Sequence, residues 1–268
     1  VTGVQTCALP IYKSAVRLCM PEIPEELFME GLKELLKLDK NWISQTEGAS
    51  LYIRPFMFGT DEYIGVKPSE SYRLIIFTNP VGHYYAKPVK VKVETRFTRA
   101  AEGGVGFAKA AGNYAASLYP AKLGQEQGFD QLIWTDPIEH KYVEESGTMN
   151  LMFLIGNTLV TPNTSETILA GVTRDSVVQV AKHWGYTVEE RKISVTEVVE
   201  AHNNGTLKEM FGTGTAATIA HIAMFHNNGT NYELPPVENR ELSNKISAYL
   251  DELKRANVED PFGWVTKV

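Results

Sequence analysis

Two cysteines, Cys7 and Cys19, occur among 268 residues. That is too few for a disulfide framework, and no metal-ligand spacing is present. Such sparing use of cysteine fits a reducing compartment, so a cytoplasmic location is expected. No apolar run approaches the roughly 20 residues that a membrane helix needs. Residues Val1 to Tyr12 have no basic stretch ahead of their apolar ones, which argues against a secretory signal. Positive charge is also scarce: 26 Lys and Arg stand against 32 Asp and Glu, a formal net charge of -6. Nucleic-acid binding draws on clustered cations that release counterions, so nucleic acid is not an expected partner. Internal repeats and low-complexity tracts are absent.

What remains is an ordinary globular composition, 43% hydrophobic and 22% charged. The length suffices for one large domain or two modest ones. Pro24 to Asn41 reads as an amphipathic helix with an apolar face of Leu27, Phe28, Gly31, Leu32, Leu35, Leu36 and Leu38. Leu51 to Phe58 reads as extended but interrupted by Pro55, and Tyr72 to Thr78 as a strand. Asn79-Pro80-Val81-Gly82 suits a turn or interdomain link. Val89, Val91 and Val93 alternate with charged residues, as in a half-buried strand, and Gln131 to Thr135 reads as a buried one. Leu151 to Ile155 and Thr158 to Thr161 flank Gly156-Asn157, a hairpin signal. Asp175 to Trp184 is a helix stopped by Gly185, Thr196 is a candidate cap for another, and Glu241 to Ala256 is a surface helix. Ala217 to Phe225 alternates partly and meets a turn at His226 to Gly229. Hairpins mixed with helices fit a mixed α/β or α+β fold better than an all-parallel sheet. The domain boundary is expected between Asn79 and Lys87.

Four segments bear on chemistry. Gly103 to Tyr114 is glycine-rich and carries Lys109. A phosphate-binding P-loop would place lysine directly after glycine, and a dinucleotide fingerprint would need glycine where Lys109 stands, so both fail. A lysine among small residues can serve as a nucleophile. On residue types alone, a solvated surface lysine is the commoner reading. Glu144 and Glu145 precede a strongly apolar strand, and composition does not say which of them points inward. Leu169-Ala170-Gly171-Val172-Thr173 opens a helix, whose free N–H groups could hold an anion or simply be capped. Phe211 to Ala217 alternates Gly and Thr, which suits a close backbone approach to a ligand, or a flexible loop.

In this order and spacing the segments resemble the branched-chain amino acid aminotransferases, fold-type IV enzymes that use pyridoxal 5'-phosphate (PLP). The resemblance runs from about Lys13 to Val268 and includes Ser14 to Pro21, Leu51 to Pro55, Gly103 to Tyr114, Glu145 to Asn150, Gly171 to Arg174 and Gly212 to Ala217. It implies a two-domain fold, with a small domain over 13–84 and a PLP-binding domain over 85–268. Lys109 matches the lysine that carries PLP and moves the proton at the substrate's Cα. Glu145 matches the acid facing the pyridine nitrogen, and Tyr114 the tyrosine at the phenolic oxygen. Asn150 lies near the ring and Leu169 packs on it. Val172, Thr173 and Thr215 match the phosphate cradle, and Thr215 with Ala216 the turn at the substrate's α-carboxylate. Tyr52, Arg54, Val81 and Tyr84 match substrate-pocket positions, Arg54 being the candidate for the second carboxylate of glutamate. The implied reaction is reversible amino transfer between leucine, isoleucine or valine and 2-oxoglutarate, in a homodimer, with no metal. Alternatives within the fold are a D-amino acid aminotransferase and an aminodeoxychorismate lyase.

The chain also departs from that pattern. Residues 1–12 read as a non-native leader, and the family's early strands are expected to be missing, which leaves the small domain incomplete. The family's phosphate-binding arginine belongs to that stretch, and Arg17 lies too late to replace it. Losing one charge-assisted contact would cost about 1.5–3 kcal/mol of cofactor affinity. An inactive truncated fragment is therefore the alternative of a different class. Ala217 and Ala220 stand where some family members carry a Cys-x-x-Cys, so no redox switch is expected there.

Overall fold

The computed structural model describes residues 4–44, 46, 49–82, 85 and 87–268, with side chains from residue 10 onward. The chain divides into two units, Val1–Tyr84 with Asp260–Val268, and Tyr85–Glu259. No helix among the described residues is long and apolar enough to cross a membrane.

The first unit holds helices α1 (Val4–Arg17) and α2 (Glu25–Asp39) and strands β1 (Ser50–Gly59) and β2 (Tyr72–Val81). Helix α2 starts directly after Pro24, with Glu25 and Glu26 favourably placed at its positive end. Phe28, Leu32 and Leu36 recur every fourth residue, are buried, and pack on Leu51, Ile53, Leu74 and Ile76. The apolar face is narrower than its sequence suggested, because Leu27 and Leu38 are exposed. A two-stranded ribbon covers only a thin stripe of helix. Helix α1 runs straight through the expected leader boundary at 12, and Tyr12 packs against the α2 cluster.

β1 and β2 pair antiparallel from Ser50 opposite Val81 to Gly59 opposite Tyr72. Two expectations change here. Pro55 does not interrupt β1, because among the described residues this strand pairs on one side only and tolerates a missing N–H on the other. Asn79, Pro80 and Val81 do not form a turn; they continue β2 opposite Tyr52, Leu51 and Ser50. Residues 260–268, expected in the second domain, group with the first unit. The Asp260 carboxylate accepts from the Phe262 and Val265 N–H groups and folds this tail on itself.

The second unit is built on one nine-stranded sheet. Its strands are β3 (Val89–Val93), β4 (Gln131–Thr135), β5 (Val143–Ser146), β6 (Met149–Ile155), β7 (Thr158–Thr161), β8 (Thr187–Glu190), β9 (Leu207–Gly214), β10 (Thr218–Asn227) and β11 (Thr230–Glu233). Its helices are α3 (Ala111–Glu126), α4 (Val172–His183), α5 (Val195–Asn203) and α6 (Glu241–Lys254). The strand order is β11-β10-β3-β4-β5-β6-β7-β8, and β9 pairs with both β10 and β6. Strands β10, β3, β4, β5, β6 and β9 therefore close into a ring. Parallel pairs (β3 with β4, β3 with β10, β7 with β8) sit beside antiparallel hairpins, the mixed architecture read from the sequence. Val91, Leu151, Phe153, Met210 and Ile222 are wholly or almost wholly buried in its main core.

The hairpin around Gly156-Asn157 forms as expected, with Ile155 opposite Thr158. Helix α5 is capped by Ser194, whose hydroxyl accepts from the Glu197 N–H, and not by Thr196, which lies inside the first turn. Gly212, Thr213 and Gly214 belong to β9 rather than to a loop, since their backbones pair with neighbouring strands; only residues 215–217 turn. Strand β8 had no sequence signal: Thr187-Val188-Glu189-Glu190 is mostly exposed and lacks alternating burial.

Candidate active site

The Gly-rich segment is a run of turns that ends where α3 begins at Ala111. Two devices fix its path. Asn113, in the first turn of α3, is buried and donates to the Val105 and Ala108 carbonyls at 2.7 and 2.8 Å. Gly106 lies so close to residues 166–167 that a Cβ there would stand 2.8 Å from both the Glu166 oxygen and the Thr167 Cα. The Phe107 N–H donates to that same Glu166 carbonyl at 2.9 Å. Lys109 thus leaves a braced loop. It is exposed between buried Ala108 and Ala110, and its Nζ donates to the Tyr114 hydroxyl at 3.0 Å.

The acid within electrostatic reach of this lysine is Glu145. It sits on β5 opposite Asn150 of β6, and Asn150 sits opposite Thr213 of β9. Paired residues project to the same face, so Glu145, Asn150 and Thr213 form one row across three strands. Glu145 Oε1 pairs with Arg99 at 2.8 Å, both side chains being buried. Its Oε2 accepts from the Leu169 N–H at 3.1 Å and from Asn150 Nδ2 at 3.4 Å. Asn150 Nδ2 also donates to the Leu169 carbonyl at 2.8 Å. Burial raises the Glu145 carboxyl to about 7, against the lowering pull of Arg99, the Leu169 N–H and Lys109. Glu144 is buried too, but its Oε1 accepts from the Thr167 hydroxyl at 2.6 Å, and burial raises it as well.

Gly171 precedes α4, and among the described residues no side-chain cap is formed at that helix start. A Cβ at Gly171 would stand 2.1 Å from Asn150 Oδ1, so the start of α4, with Val172 and Thr173, lies against the Glu145 row. Uncapped N–H groups at a helix start form a site for an anion. Thr215 and Ala216 lie in the exposed β9–β10 turn, which follows Thr213 and Gly214. The Thr213 hydroxyl is buried and, among the described residues, has no hydrogen-bond partner. In the first unit, Arg54 Nη2 donates to the Tyr52 hydroxyl at 3.0 Å, and Val81 ends β2. Tyr84 lies outside the described residues.

The second unit therefore gathers Lys109 with Tyr114, Glu145 with Asn150 and Leu169, and the start of α4. Sequence reasoning missed Arg99. Nothing in Arg96-Phe97-Thr98-Arg99 separates a buried guanidinium from a solvated one. It also missed Gly106 and Asn113, which act through close packing that no short motif reveals. Thr213 was visible only as part of the Gly/Thr alternation. Among the described residues, no group of three His, Cys, Asp or Glu could hold a metal. The donor set suits a flat ligand with an anionic tail and a basic ring nitrogen: an uncapped helix start, a buried acid, and an amine beside a phenol.

Comparison with known proteins shows the family. Residues 11–224 match the family described as Amino-transferase class IV. The chain is 47% identical over 255 residues to branched-chain-amino-acid aminotransferase 2 of Bacillus subtilis, covering 94% of this chain and 70% of that protein. The branched-chain amino acid aminotransferase of Escherichia coli superposes with a TM-score of 0.81 at 26% identity, covering 99% of this chain and 84% of that one. A branched-chain amino acid aminotransferase of T.th., complexed with N-(5'-phosphopyridoxyl)-L-glutamate, superposes with a TM-score of 0.78 at 25% identity, covering 99% and 83%.

Proposed function

The chain belongs to the class IV amino-transferases and to their branched-chain group, and we propose on that premise that it uses PLP to move an amino group between leucine, isoleucine or valine and 2-oxoglutarate. The observation that carries this reading is the buried Glu145, paired with Arg99 and within the electrostatic reach of Lys109. Support for the cofactor comes from the fit above and from the phosphopyridoxyl compound held by the T.th. relative. When bound, PLP supplies the electron sink that makes the substrate's Cα–H acidic.

The chain's own residues do the rest. Lys109 would hold the cofactor, and its amine, free once substrate is bound, would move the proton between the substrate's Cα and the cofactor's C4′. Tyr114 hydrogen-bonds the phenolic oxygen and keeps the lysine amine close. Glu145 holds a proton at the pyridine nitrogen, and Asn150 and the Leu169 N–H keep that carboxyl aimed. Leu169 packs on the ring face. The start of α4, through Val172 and Thr173, takes the phosphate together with Thr215. The N–H groups of Thr215 and Ala216 take the substrate α-carboxylate. Tyr52, Arg54, Val81 and Tyr84 complete the proposal as substrate residues, with Arg54 answering glutamate's second carboxylate. The working form is a cytoplasmic homodimer in branched-chain amino acid metabolism.

Absorption spectroscopy of the protein with PLP, then with L-glutamate, tests the reading against Lys109→Ala. The expected result is a visible band that glutamate bleaches and that the variant lacks. A band unchanged in Lys109→Ala would place the cofactor lysine elsewhere. Turnover of L-leucine is expected, and turnover of D-alanine alone would end the branched-chain assignment.

A further inference from the structure

The buried ion pair behind the candidate site calls for a reason. Two charged groups out of water cost more than their attraction returns unless every partner is well placed. Arg99 and Glu145 meet at 2.8 Å with only 6% and 5% of their side chains exposed. The guanidinium does more than neutralise the acid. Its Nη1 donates to the Thr167 carbonyl at 3.0 Å, and its Nη2 reaches the Gly106 carbonyl at 3.5 Å. Gly106 lies in the loop that carries Lys109, and Thr167 lies two residues before Leu169, whose N–H binds Glu145. One planar fork thus touches three parts of the site: the acid, the lysine loop and the segment leading to α4. A lysine could supply the charge but not this geometry.

We propose that Arg99 is a positioning residue for the cofactor acid, favouring the ionised form of Glu145 and aiming it while fastening the Lys109 loop to it. The proposal rests on the PLP reading above. The groups facing Glu145 are Arg99, Lys109, Asn150, the Leu169 N–H and, on its own strand, Glu144. Lys109 and Arg99 favour the charged carboxylate and Glu144 opposes it, so Arg99 is the paired cation that offsets burial. Without it the carboxyl would take up a proton of its own and lose the negative charge that keeps a pyridine nitrogen protonated.

The test uses the full chain with 13C-labelled glutamate carboxyls and 15N-labelled arginine, with Glu145 assigned from Glu145→Gln. In the cofactor-free wild type, the Arg99 guanidinium resonances should follow the Glu145 titration with the same midpoint. In Arg99→Gln that midpoint should move up by about one pH unit or more, and Arg99→Lys should restore most of it. With 15N-labelled PLP bound, the ring nitrogen should lose its protonated signal in Arg99→Gln at neutral pH and regain it in Arg99→Lys. A folded Arg99→Gln whose Glu145 midpoint stays at the wild-type value would overturn the proposal. So would Arg99 resonances that ignore the Glu145 titration in the wild type, a measurement needing no variant to fold. Failure of the wild type to form the Lys109-dependent PLP band would instead end the cofactor reading. A band with an uncoupled Arg99 would end this proposal alone.

Discussion

Gly106 shows how much a missing side chain can decide. A Cβ there would stand 2.5 Å from the Ala100 Cβ as well as against the backbone at 166–167. Those neighbours are backbone or short side chains, so they cannot swing away. Gly106→Ala should cost about 1–3 kcal/mol of stability through overpacking. It should also weaken PLP binding, because the loop that it displaces is the one carrying Lys109. Thermal melts with and without PLP check both, since a ligand bound only by the native state raises the melting temperature. Lys109 and the two acids were legible in the sequence as residue types. Residue type alone did not give their roles, because a glutamate pair reads alike whichever member points inward; only the family resemblance singled out Glu145. Register on β5 separates Glu145 toward Asn150 from Glu144 toward Thr167.

Among the elements, those with a simple period were legible. Phe28, Leu32 and Leu36 marked α2, and Gly156-Asn157 marked its hairpin. Strand β9 was not, because Gly and Thr suggest a loop until two neighbouring strands claim their backbones. Leu151, wholly buried in the middle of β6, tests the apolar strands: Leu151→Ala should lose about 2–5 kcal/mol, read by denaturant unfolding. Helix α6 depends on an acid from another element. Glu209 on β9 is buried, and its carboxylate accepts from the Leu242 and Ser243 N–H groups, each at 2.8 Å. Glu209→Gln keeps the shape but loses the charge and one acceptor. It should cost about 1–3 kcal/mol, seen as a lower melting temperature with PLP absorption retained at low temperature.

At the scale of the whole second unit, the Glu145 carboxyl links stability to pH. Its folded value of about 7 lies above the ordinary 4.5, so the folded chain holds this proton more tightly than the unfolded one. The contribution is fully present below about pH 4.5 and is lost as pH rises through about 7. The loss is on the order of 3 kcal/mol for the cofactor-free chain. Wild type and Glu145→Gln melted at about pH 5 and about pH 8 give the check: the variant should lose less stability between them. Equal losses would mean that Glu145 titrates at an ordinary value. The mixed fold itself was legible from hairpins standing among helices. The ring was not, because its closing pair joins residues far apart in sequence, and no local pattern records that.

That closing pair has a consequence in time. Strand β3 begins at Val89, yet its parallel pairing with β10 begins at Ile222. A growing polypeptide must therefore release more than half its length before β3 acquires both neighbours. Long-range closure of this kind slows folding, because the entropy of the intervening loop is lost before any bond repays it. The row from Glu145 to Thr213 is complete only after β9 has left the ribosome, and the ring only after β10 has followed. Until then the ring whose core includes Val91 and Leu151 is unclosed.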